Sequence, residues 1–450
     1  MRTYWKLFQN WQNYMKKKIK LSEGNQTFCM APWTHTYLSP QTERRMCCAS
    51  REPAQSFRQY IDREGDLKEY NPETLEQHWN NEHMKSVRKR MMAGETLTEC
   101  QVCNDKLLNT DVYRDYFNNL FRHKIDDAFA KTDDTGHTEM KTVSFDYRFN
   151  NLCNFKCRQC GDMLSSSWES EQRNYNMWSD TNQPWMSSPL REQIKLFQDT
   201  QVVKEFMNAV EDRSIEEIYW VGGEPLMWDI HWDSMARIID LGIQDQVYAR
   251  YNTNLSRIDC KGKNLFRDIL SKFKDWQICA SIDGTGVIGE YIRTGLKYNQ
   301  FLDHFTQGLA FARHKRQMQL DFTITMPGLL ELKNIFDLSQ RLNAKLLTKV
   351  TFAFDARQLM SPMSLPRQLL NTIVDENLEY IKKRSTPLQQ SLIDVLENMK
   401  NRPTFEEEYK DIEQIKQGKK RIEKIDTIRK TDIKKILEQD KRMLEWWNDI

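Results

Sequence analysis

The sequence predicts an α/β protein built on a partial (βα)6 barrel, with a small cysteine-rich module before it and a charged helical region after it. Three observations predict this arrangement. Six short β-type runs alternate with longer helical stretches between residues 141 and 355. Eight of the ten cysteines form two groups, one before this alternation and one within it. The chain from about residue 366 onward is rich in lysine and glutamate.

Length and composition narrow the classes of protein that this chain can be. With 450 residues, we expect two or three domains at about 150 residues each. No apolar run approaches 18 residues, and the lysines at 16–18 precede no apolar stretch, so we expect neither a membrane span nor a secretory signal but a cytoplasmic protein. A net charge of +2 lacks the basic excess typical of nucleic-acid binding.

We predict four segments along the chain. They are an N-terminal helix at 1–27, the cysteine-rich module at 28–105, the barrel at 141–355 and the charged helical region at 366–450. Within the barrel, strands are expected at 142–149, 216–221, 246–252, 275–283, 318–326 and 347–355, with helices near 191–212, 229–241, 263–273, 299–316 and 329–342. Functional residues of such a fold collect at the carboxyl ends of the strands. Residues 163–190 are predicted to form a long loop that acts as a lid or contacts substrate.

Three cysteines directly after the first predicted strand carry the strongest chemical signal. Cys153, Cys157 and Cys160 are spaced C-x₃-C-x₂-C. Disulfides are rare in cytosolic proteins, where clustered cysteines more often bind metal. Four thiolates complete a [4Fe–4S] cluster, so three leave one iron open to another ligand. A zinc site favours paired C-x₂-C units and four closed ligands.

This loop resembles that of the radical S-adenosylmethionine (SAM) enzymes, whose hallmark is C-x₃-C-x₂-C after the first strand of a partial (βα)6 barrel. The resemblance implies that the three cysteines hold a [4Fe–4S] cluster whose open iron binds SAM. It implies that the reduced cluster cleaves SAM to a 5′-deoxyadenosyl radical, which abstracts hydrogen from substrate. An electron donor such as flavodoxin or ferredoxin is implied as a partner.

Two further motifs resemble those of the same family, in the same order. Gly222, Gly223 and Glu224 follow the second strand, where glycines allow a ligand to approach the backbone and a carboxylate can accept a hydrogen bond from the SAM ammonium. Asn254 follows the third strand in a Thr-Asn pair that resembles the family's Thr-Asn-Gly stretch near the SAM ribose. Leu255 stands in place of that glycine.

A fourth motif follows the fourth predicted strand. Ser281 begins an S-x-D-G sequence and Arg293 an R-x-G sequence, a pattern similar to that of peptide-modifying radical SAM enzymes. The resemblance implies that both side chains hold the SAM carboxylate, for which the planar arginine fork is suited. Gln159 replaces the aromatic residue that commonly precedes the third cysteine, so we expect Phe155 or Met326 to contact the adenine instead.

The earlier cysteine group resembles the auxiliary-cluster module called twitch, the short form of the SPASM domain. Cys29 opens a Cys-x-x-Pro-Trp sequence, Cys47 and Cys48 follow a predicted hairpin, and Cys100 and Cys103 form a C-x₂-C pair. The resemblance implies a second [4Fe–4S] cluster held by Cys29, Cys47, Cys100 and Cys103. Its position before the barrel, rather than after it, departs from the family pattern.

Several alternatives for this module stay open. Cys47 is preferred over Cys48 because of its distance from the hairpin turn, where Thr42 stands in place of the usual glycine. A structural zinc ribbon would use the same four cysteines. His35 is an alternative ligand, although we expect it on the hairpin surface.

The sequence therefore predicts a radical SAM enzyme, of the oxidoreductase type or peptide-modifying, acting on a peptide or a small molecule with an auxiliary cluster in electron transfer. A radical SAM enzyme that modifies RNA or a nucleotide, and a non-catalytic zinc-ribbon binding protein, are the alternatives. No hydrolase or NTPase motif is present. Tyr147, Cys279 and Tyr291 are candidate hydrogen donors that the sequence does not rank, so no catalytic residue is assigned. The charged C-terminal region is expected to be a solvated helical hairpin or a docking element.

Overall fold

The computed structural model describes residues 27–50, 57–62, 64, 66–104, 113–177, 188–351, 359–409 and 412–450. Two compact units are formed, the first by residues 27–146 with 188–215 and the second by residues 147–177 with 216–450. The predicted N-terminal helix lies outside the described residues. Within the described ranges, no helix combines the length and the apolar composition that crossing a bilayer requires.

The strands are short, as is usual for an α/β protein. In chain order they are β1 (His35–Leu38), β2 (Arg44–Arg45), β3 (Ser144–Tyr147), β4 (Lys156–Cys157), β5 (Glu217–Trp220), β6 (Tyr248–Thr253), β7 (Asp259–Cys260), β8 (Lys263–Asn264), β9 (Trp276–Ile282), β10 (Arg293–Thr294), β11 (Met318–Ile324) and β12 (Lys345–Val350).

The helices connect these strands and continue to the end of the chain. The α-helices are α1 (Ala31–Thr34), α2 (Leu75–Trp79), α3 (Glu82–Met92), α4 (Gln101–Asn104), α5 (Tyr113–Leu120), α6 (Ile125–Ala130), α7 (Ser166–Asn174), α8 (Ser188–Phe197), α9 (Val203–Glu211), α10 (Asp229–Asp240), α11 (Gly286–Ile292), α12 (Tyr298–Phe311), α13 (Leu332–Leu342), α14 (Arg367–Lys382), α15 (Gln390–Lys400), α16 (Phe405–Tyr409), α17 (Ile412–Arg429), α18 (Ile433–Leu437) and α19 (Lys441–Asp449). Short 3₁₀ or π segments cover Thr98–Cys100, Arg122–Lys124, Gln198–Val202, Pro225–Met227, Leu265–Ile269, Leu270–Lys272, Pro327–Glu331, Pro362–Ser364 and Pro387–Gln389.

A parallel sheet organises the second unit. Strands β5, β6, β9, β11 and β12 lie side by side in chain order, each parallel to the next. This order follows from repeated βα crossovers in one direction. The prediction of an α/β fold with a parallel sheet is confirmed. The predicted strands are present with bounds shifted by a few residues, and residues 352–355 of the last one lie outside the described part of the chain.

Two predicted connections differ from the structure. The helix expected at 263–273 is a π turn followed by a 3₁₀ turn, and at its start the Asn264 side chain accepts hydrogen bonds from the Phe266 and Arg267 amides. The long loop expected at 163–190 contains helix α7, whose first turn is capped by Ser165 and which buries Trp168 completely. Residues 178–187 of that loop lie outside the described residues.

The first unit contains a β-hairpin followed by helices. Strands β1 and β2 pair antiparallel, and Thr42 in their turn has φ +64°, the left-handed conformation in which glycine is usual. The Thr42 hydroxyl donates to the Gln41 carbonyl at 2.6 Å and bonds the Tyr70 hydroxyl at 2.9 Å. These hydrogen bonds offset the backbone strain that threonine brings to this position.

A fully buried arginine joins helix α3 to the segment that begins with Cys29. The Arg88 guanidinium donates to the Pro32 carbonyl at 2.9 Å, the Trp79 carbonyl at 2.6 Å and the Asn80 side chain at 2.9 Å. Burial lowers the pKa of Arg88 to about 9. The arginine thus satisfies carbonyl groups that would otherwise be buried without a donor.

The expectation of a solvated helical hairpin at the C-terminus is wrong. Helices α14, α15, α18 and α19 each bury an apolar face, and Leu396, Leu437, Met443 and Trp447 are fully buried. The lysines and glutamates of this region occupy the opposite faces, as in any amphipathic helix. The region is therefore part of the core of the second unit.

Candidate functional site

The loop with three cysteines follows β3 and turns back through β4. Strand β4 pairs antiparallel with β10, which places Cys157 opposite Arg293. The Phe155 amide donates to the Cys153 sulfur at 3.5 Å, and the Ser165 hydroxyl donates to the Phe155 carbonyl at 2.7 Å. Hydrogen bonds of this kind fix the backbone between the cysteines.

All three thiols lie in a low-dielectric environment that disfavours their charged form. Burial raises the pKa of Cys157 to about 12 and also raises the pKa values of Cys153 and Cys160. Such thiols ionise only when a cation or metal compensates. Among the described residues, no three His, Cys, Asp or Glu side chains converge as ligands of one metal ion. In a [4Fe–4S] cluster, each thiolate binds a different iron.

The turn after β5 packs directly on this loop. A Cβ atom at Gly223 would lie 2.3 Å from the Leu152 carbonyl oxygen, next to Cys153, so a side chain has no room there. Gly222 precedes it in the same turn. The Glu224 amide donates to the same Leu152 carbonyl at 2.8 Å. The sequence predicts that this glycine lets a ligand approach the backbone. In the structure, it is the cysteine loop that packs closely against the glycine.

Glu224 links the ends of β5 and β6. Its carboxylate accepts hydrogen bonds from the Thr253 hydroxyl at 2.7 Å, the Asn254 amide at 2.7 Å and the Leu226 amide at 3.1 Å. Burial raises its pKa to about 7, against the opposing effect of these hydrogen bonds. A carboxylate offers about four acceptor sites, so about one is left for a ligand.

Asn254 also reaches the cysteine loop. Its side-chain amide donates to the Asn154 side chain at 3.0 Å, and its carbonyl oxygen accepts the Ser256 amide at 2.9 Å. Leu255, which stands where the family has glycine, has φ +54°. The backbone here therefore adopts the conformation that glycine would favour, although the residue is a buried leucine. The Leu255 carbonyl accepts a hydrogen bond from His304 Nδ1 at 2.8 Å.

An ion pair joins the ends of β9 and β10 beside Cys157. Arg293 Nε lies 2.7 Å from a carboxylate oxygen of Asp283, and Arg293 Nη1 lies 3.8 Å from the Cys157 sulfur. Burial alone would lower the pKa of Arg293, but the Asp283 carboxylate raises it, so the guanidinium stays charged. Gln159 donates to the same Asp283 carboxylate. The arginine thus supplies the positive charge that a thiolate at Cys157 needs.

Ser281 lies two residues before Asp283, at the carboxyl end of β9, and within the described residues its hydroxyl has no hydrogen-bond partner. Gly295 closes the same motif with φ +114°. A Cβ atom at Gly295 would lie 2.7 Å from the Phe155 ring, so this glycine lets the ring pack against the turn.

A row of polar side chains on one face of the sheet is not predicted from the sequence. The Tyr219 hydroxyl donates to Asn252 at 2.6 Å, Asn252 donates to Asp321 at 2.6 Å, and Lys349 donates to Asp321 at 2.6 Å. The register pairs Asp321 with Ser281, so the row lies next to the Ser281 position. The alternation of polar residues along the predicted strands could have indicated this row.

In the first unit, four cysteines line one pocket. They are Cys29, Cys47, Cys100 and Cys103, whereas Cys48 does not line it. Cys29 and Cys47 are buried, and burial raises their pKa values, while burial raises the pKa of Cys100 to about 11. The Ala31 amide donates to the Cys29 sulfur at 3.5 Å. The structure thus brings together the four cysteines that the sequence analysis grouped.

Two further residues considered in the sequence analysis are buried and bonded to other side chains. The expectation that His35 lies on the hairpin surface is wrong, because its ring is buried, bonds the Ser144 hydroxyl at 2.5 Å and packs on Phe117. It does not line the pocket of the four cysteines. Tyr291 is buried under the Arg158 guanidinium, and its hydroxyl donates to Asp426 at 3.2 Å.

The other candidate hydrogen donors and adenine contacts are all buried. Burial raises the pKa of Cys279 to about 12, and Tyr147 has little exposed surface. Phe155 and Met326, expected near the adenine, are also buried.

No protein-family model and no curated protein matches this chain. Solved structures to which this chain shows a weak likeness include TYW1 with a lysine–pyruvate adduct bound, at 12% identity over 53% of this chain and 71% of that chain, with a TM-score of 0.29. They also include SuiB of Streptococcus suis bound to its precursor peptide SuiA (TM-score 0.34, 11% identity, 69% and 64% coverage) and bound to S-adenosylmethionine (0.30, 11%, 69% and 63%). This chain spans less than two thirds of either SuiB chain. Below a TM-score of 0.5 the likeness is loose, and function has to be inferred from the chain's own residues.

Proposed function

We propose that this chain is a radical SAM enzyme that abstracts hydrogen from a peptide or small-molecule substrate. The observation that carries the proposal is the meeting of separate motifs at one loop. The turns after β5, β6 and β9, and Arg293 on β10, each contact the segment that holds Cys153, Cys157 and Cys160. Three thiols met by glycine, carboxylate and arginine motifs at strand ends form a site for an iron–sulfur cluster with one open iron.

The residues present fit such a cluster. Phe155 donates an amide hydrogen bond to the Cys153 sulfur, and Arg293 places a buried positive charge beside Cys157. Both interactions favour thiolates over thiols. A [4Fe–4S] cluster bound there would supply the electron for reductive cleavage of SAM, the chemistry from which hydrogen abstraction would start. The protein's part is to bind and orient SAM and substrate and to exclude water.

We assign the SAM contacts to residues on these strand ends. Glu224 would accept a hydrogen bond from the SAM ammonium through its remaining acceptor site, and Asn254 would lie near the ribose. Ser281 and Arg293 would hold the carboxylate. Because Asp283 binds Arg293 Nε and Nη2, the carboxylate would be met by Nη1, which faces Cys157. Gly222 and Gly223 would keep this turn close to the cluster.

For the first unit we propose an auxiliary [4Fe–4S] cluster bound by Cys29, Cys47, Cys100 and Cys103, as in a twitch module. Four thiolates leave no iron open, so this cluster would transfer electrons rather than bind substrate. The lining of the pocket by Cys47, and not by Cys48, supports the choice of ligand. A structural zinc ion with the same ligands is the competing assignment.

For the substrate we favour a peptide or small molecule over RNA or a nucleotide. A chain with a net charge of +2 lacks the basic excess that phosphate backbones attract. The row from Tyr219 to Lys349 offers hydrogen-bond donors and acceptors of both charges to a polar substrate. We further propose a cytoplasmic protein that takes electrons from flavodoxin or ferredoxin.

The deciding experiment is anaerobic iron and sulfide analysis with electron paramagnetic resonance (EPR) spectra. The variant replaces Cys153, Cys157 and Cys160 by alanine together, with Cys260→Ala as the control for cysteine loss elsewhere in the same unit. We expect about eight irons per chain in the wild type and the control and about four in the triple variant. Only the first two should form 5′-deoxyadenosine from SAM and dithionite. No iron after reconstitution, with no SAM cleavage, would refute the proposal.

The auxiliary site has its own matched pair of variants. Cys47→Ser should lose about four irons and Cys48→Ser none. About one zinc and about four irons per wild-type chain would instead assign a structural zinc to the first unit and leave the enzyme assignment intact.

A further inference from the structure

The end of helix α17 lies against the cysteine loop of the second unit. Asp426 and Arg429 are in the last turn of this helix, and Thr431 follows it. All three bond to Lys156 or Arg158, the two neighbours of Cys157. No role of the C-terminal region at the cysteine loop is predicted from the sequence.

Arg429 binds both the loop and helix α7. Its Nη1 donates to the Lys156 carbonyl at 2.8 Å and to the Thr294 hydroxyl at 3.1 Å. Its Nη2 and Nε bind the Glu171 carboxylate at 2.6 and 3.1 Å, and the guanidinium lies 4.4 Å from the centre of the Trp168 ring. The arginine side chain is only 2% exposed. A planar fork with five donors can make all these bonds together, which a lysine cannot.

Helix α7 extends this hold to Cys157 itself. The Trp168 indole donates to the Cys157 carbonyl at 2.6 Å, directly beneath the Arg429 guanidinium. The Lys156 ammonium donates to Glu171 at 2.5 Å, and Arg429 and Lys156 together hold the pKa of Glu171 below its usual value although burial opposes them. The carbonyl groups of residues 156 and 157 are therefore both fixed by this set of side chains.

Arg158 is held on the other side of Cys157. Its Nη2 lies 2.7 Å from Asp426 and donates to the Thr431 hydroxyl at 2.7 Å, and its guanidinium stacks 3.7 Å from the centre of the Tyr291 ring. The side chains of Arg158 and Asp426 are 1% and 7% exposed. Loss of one member of such a buried pair leaves an uncompensated charge, so the two are locked together.

We propose that the segment 426–431 is a positioning element for the SAM cluster. By fixing both neighbours of Cys157, it holds this thiol at the place where the cluster's iron is bound and keeps water away from it. The statement about the cluster rests on the proposed function, whereas the statement about the thiol does not. Asp426, Arg429 and Thr431 are positioning residues, because none of them touches the cysteine sulfurs.

The first test follows iron in the reconstituted protein. Arg429→Gln removes the fork, and Arg442→Gln is the control, since Arg442 makes a half-exposed pair with Glu376 at 2.7 Å elsewhere in the C-terminal region. Iron release to a chelator is measured under anaerobic conditions, and the triple cysteine variant gives the contribution of the auxiliary site. We expect iron of the SAM cluster to be released about tenfold faster from the Arg429→Gln protein than from the wild type or the control.

The second test uses the cluster-free protein. Alkylation of Cys157 by iodoacetamide is followed by peptide mass spectrometry, with buried Cys279 as the internal reference for global opening. In Arg429→Gln, iodoacetamide should alkylate Cys157 about tenfold faster than in the wild type, while the alkylation rate of Cys279 should stay unchanged. If alkylation of Cys279 accelerates equally, Arg429→Gln has opened the whole protein, and the milder variant Thr431→Val is tested instead. A wild-type alkylation rate for Cys157 in Thr431→Val then overturns the inference.

The two tests separate this inference from the proposed function. Selective exposure of Cys157 in a protein that never binds iron would refute the function and uphold the positioning role. Wild-type rates of both alkylation and iron release in Arg429→Gln would refute the positioning role, even if SAM is cleaved.

Discussion

Substitution of Gly223 by alanine is expected to prevent binding of the proposed SAM cluster while leaving the proposed auxiliary site intact. The new Cβ atom would lie 2.3 Å from the Leu152 oxygen, whereas ordinary contact begins at 3.4 Å, so the loop has to retreat by about 1 Å. Metal ligands tolerate only about 0.2 Å. Cys153, which follows Leu152, would then no longer reach a cluster held by the other two cysteines.

The loss of unfolding free energy in Gly223→Ala has two local causes. Overpacking against a backbone atom costs about 1–3 kcal/mol. Loss of the 2.8 Å hydrogen bond from Glu224 to Leu152 adds about 1 kcal/mol. We therefore expect the apoprotein to lose about 2–4 kcal/mol of unfolding free energy in urea denaturation. After reconstitution, the variant should hold about four irons instead of about eight.

The matched control is Gly161→Ala. Gly161 directly follows Cys160, yet a Cβ atom there meets nothing within 4 Å. This variant should keep the full iron content and a nearly unchanged denaturation midpoint. If Gly223→Ala also kept all its iron and the wild-type midpoint, the packing of this turn on the cysteine loop would not be what the structure describes.

Three further outcomes are expected. Leu255→Gly should leave the apoprotein about 1 kcal/mol more stable than Leu255→Ala in urea denaturation, because only glycine relieves the φ of +54° while both lose the buried side chain; equal stabilities would contradict this. Because burial raises the pKa of Glu224 to about 7, the folded protein retains a proton that the unfolded chain releases near pH 4.5. Stability should therefore fall as the pH rises between these two values and level off above pH 7. Glu224→Gln should remove that part of the slope, up to about 3 kcal/mol between pH 5 and 8, and an unchanged slope would argue against a protonated carboxyl. Arg88→Met should cost about 3–5 kcal/mol, because the Pro32 and Trp79 carbonyls lose their buried donor; an unaltered melting temperature would show that water replaces it.

Local patterns account for what the sequence predicted well. The alternation of strands and helices and the hairpin turn at Thr42 both depend on residues close together in the chain. The parallel sheet follows because repeated βα units have one favoured hand. These features needed no knowledge of tertiary packing.

The features that the sequence analysis missed depend on distant residues. The polar row on the sheet exists because the register aligns Asn252 with the neighbouring strands, which periodicity alone does not define. His35 is buried because it meets Ser144, 109 residues away. The sequence predicts solvated C-terminal helices because their composition does not tell which face of each helix packs against the rest of the unit.

The bonds between Arg158 and the turn after helix α17 also bear on when the site can form. Arg158 and Thr431 are 273 residues apart in the chain. At a synthesis rate of about 5–20 residues per second, roughly 14–55 seconds pass between the emergence of the two. During that interval Cys157 is exposed without the residues that later enclose it. Stable assembly of the proposed cluster in this loop would therefore have to follow synthesis of residues 426–431, and until then nascent chains would depend on reducing conditions that keep Cys157 from oxidation.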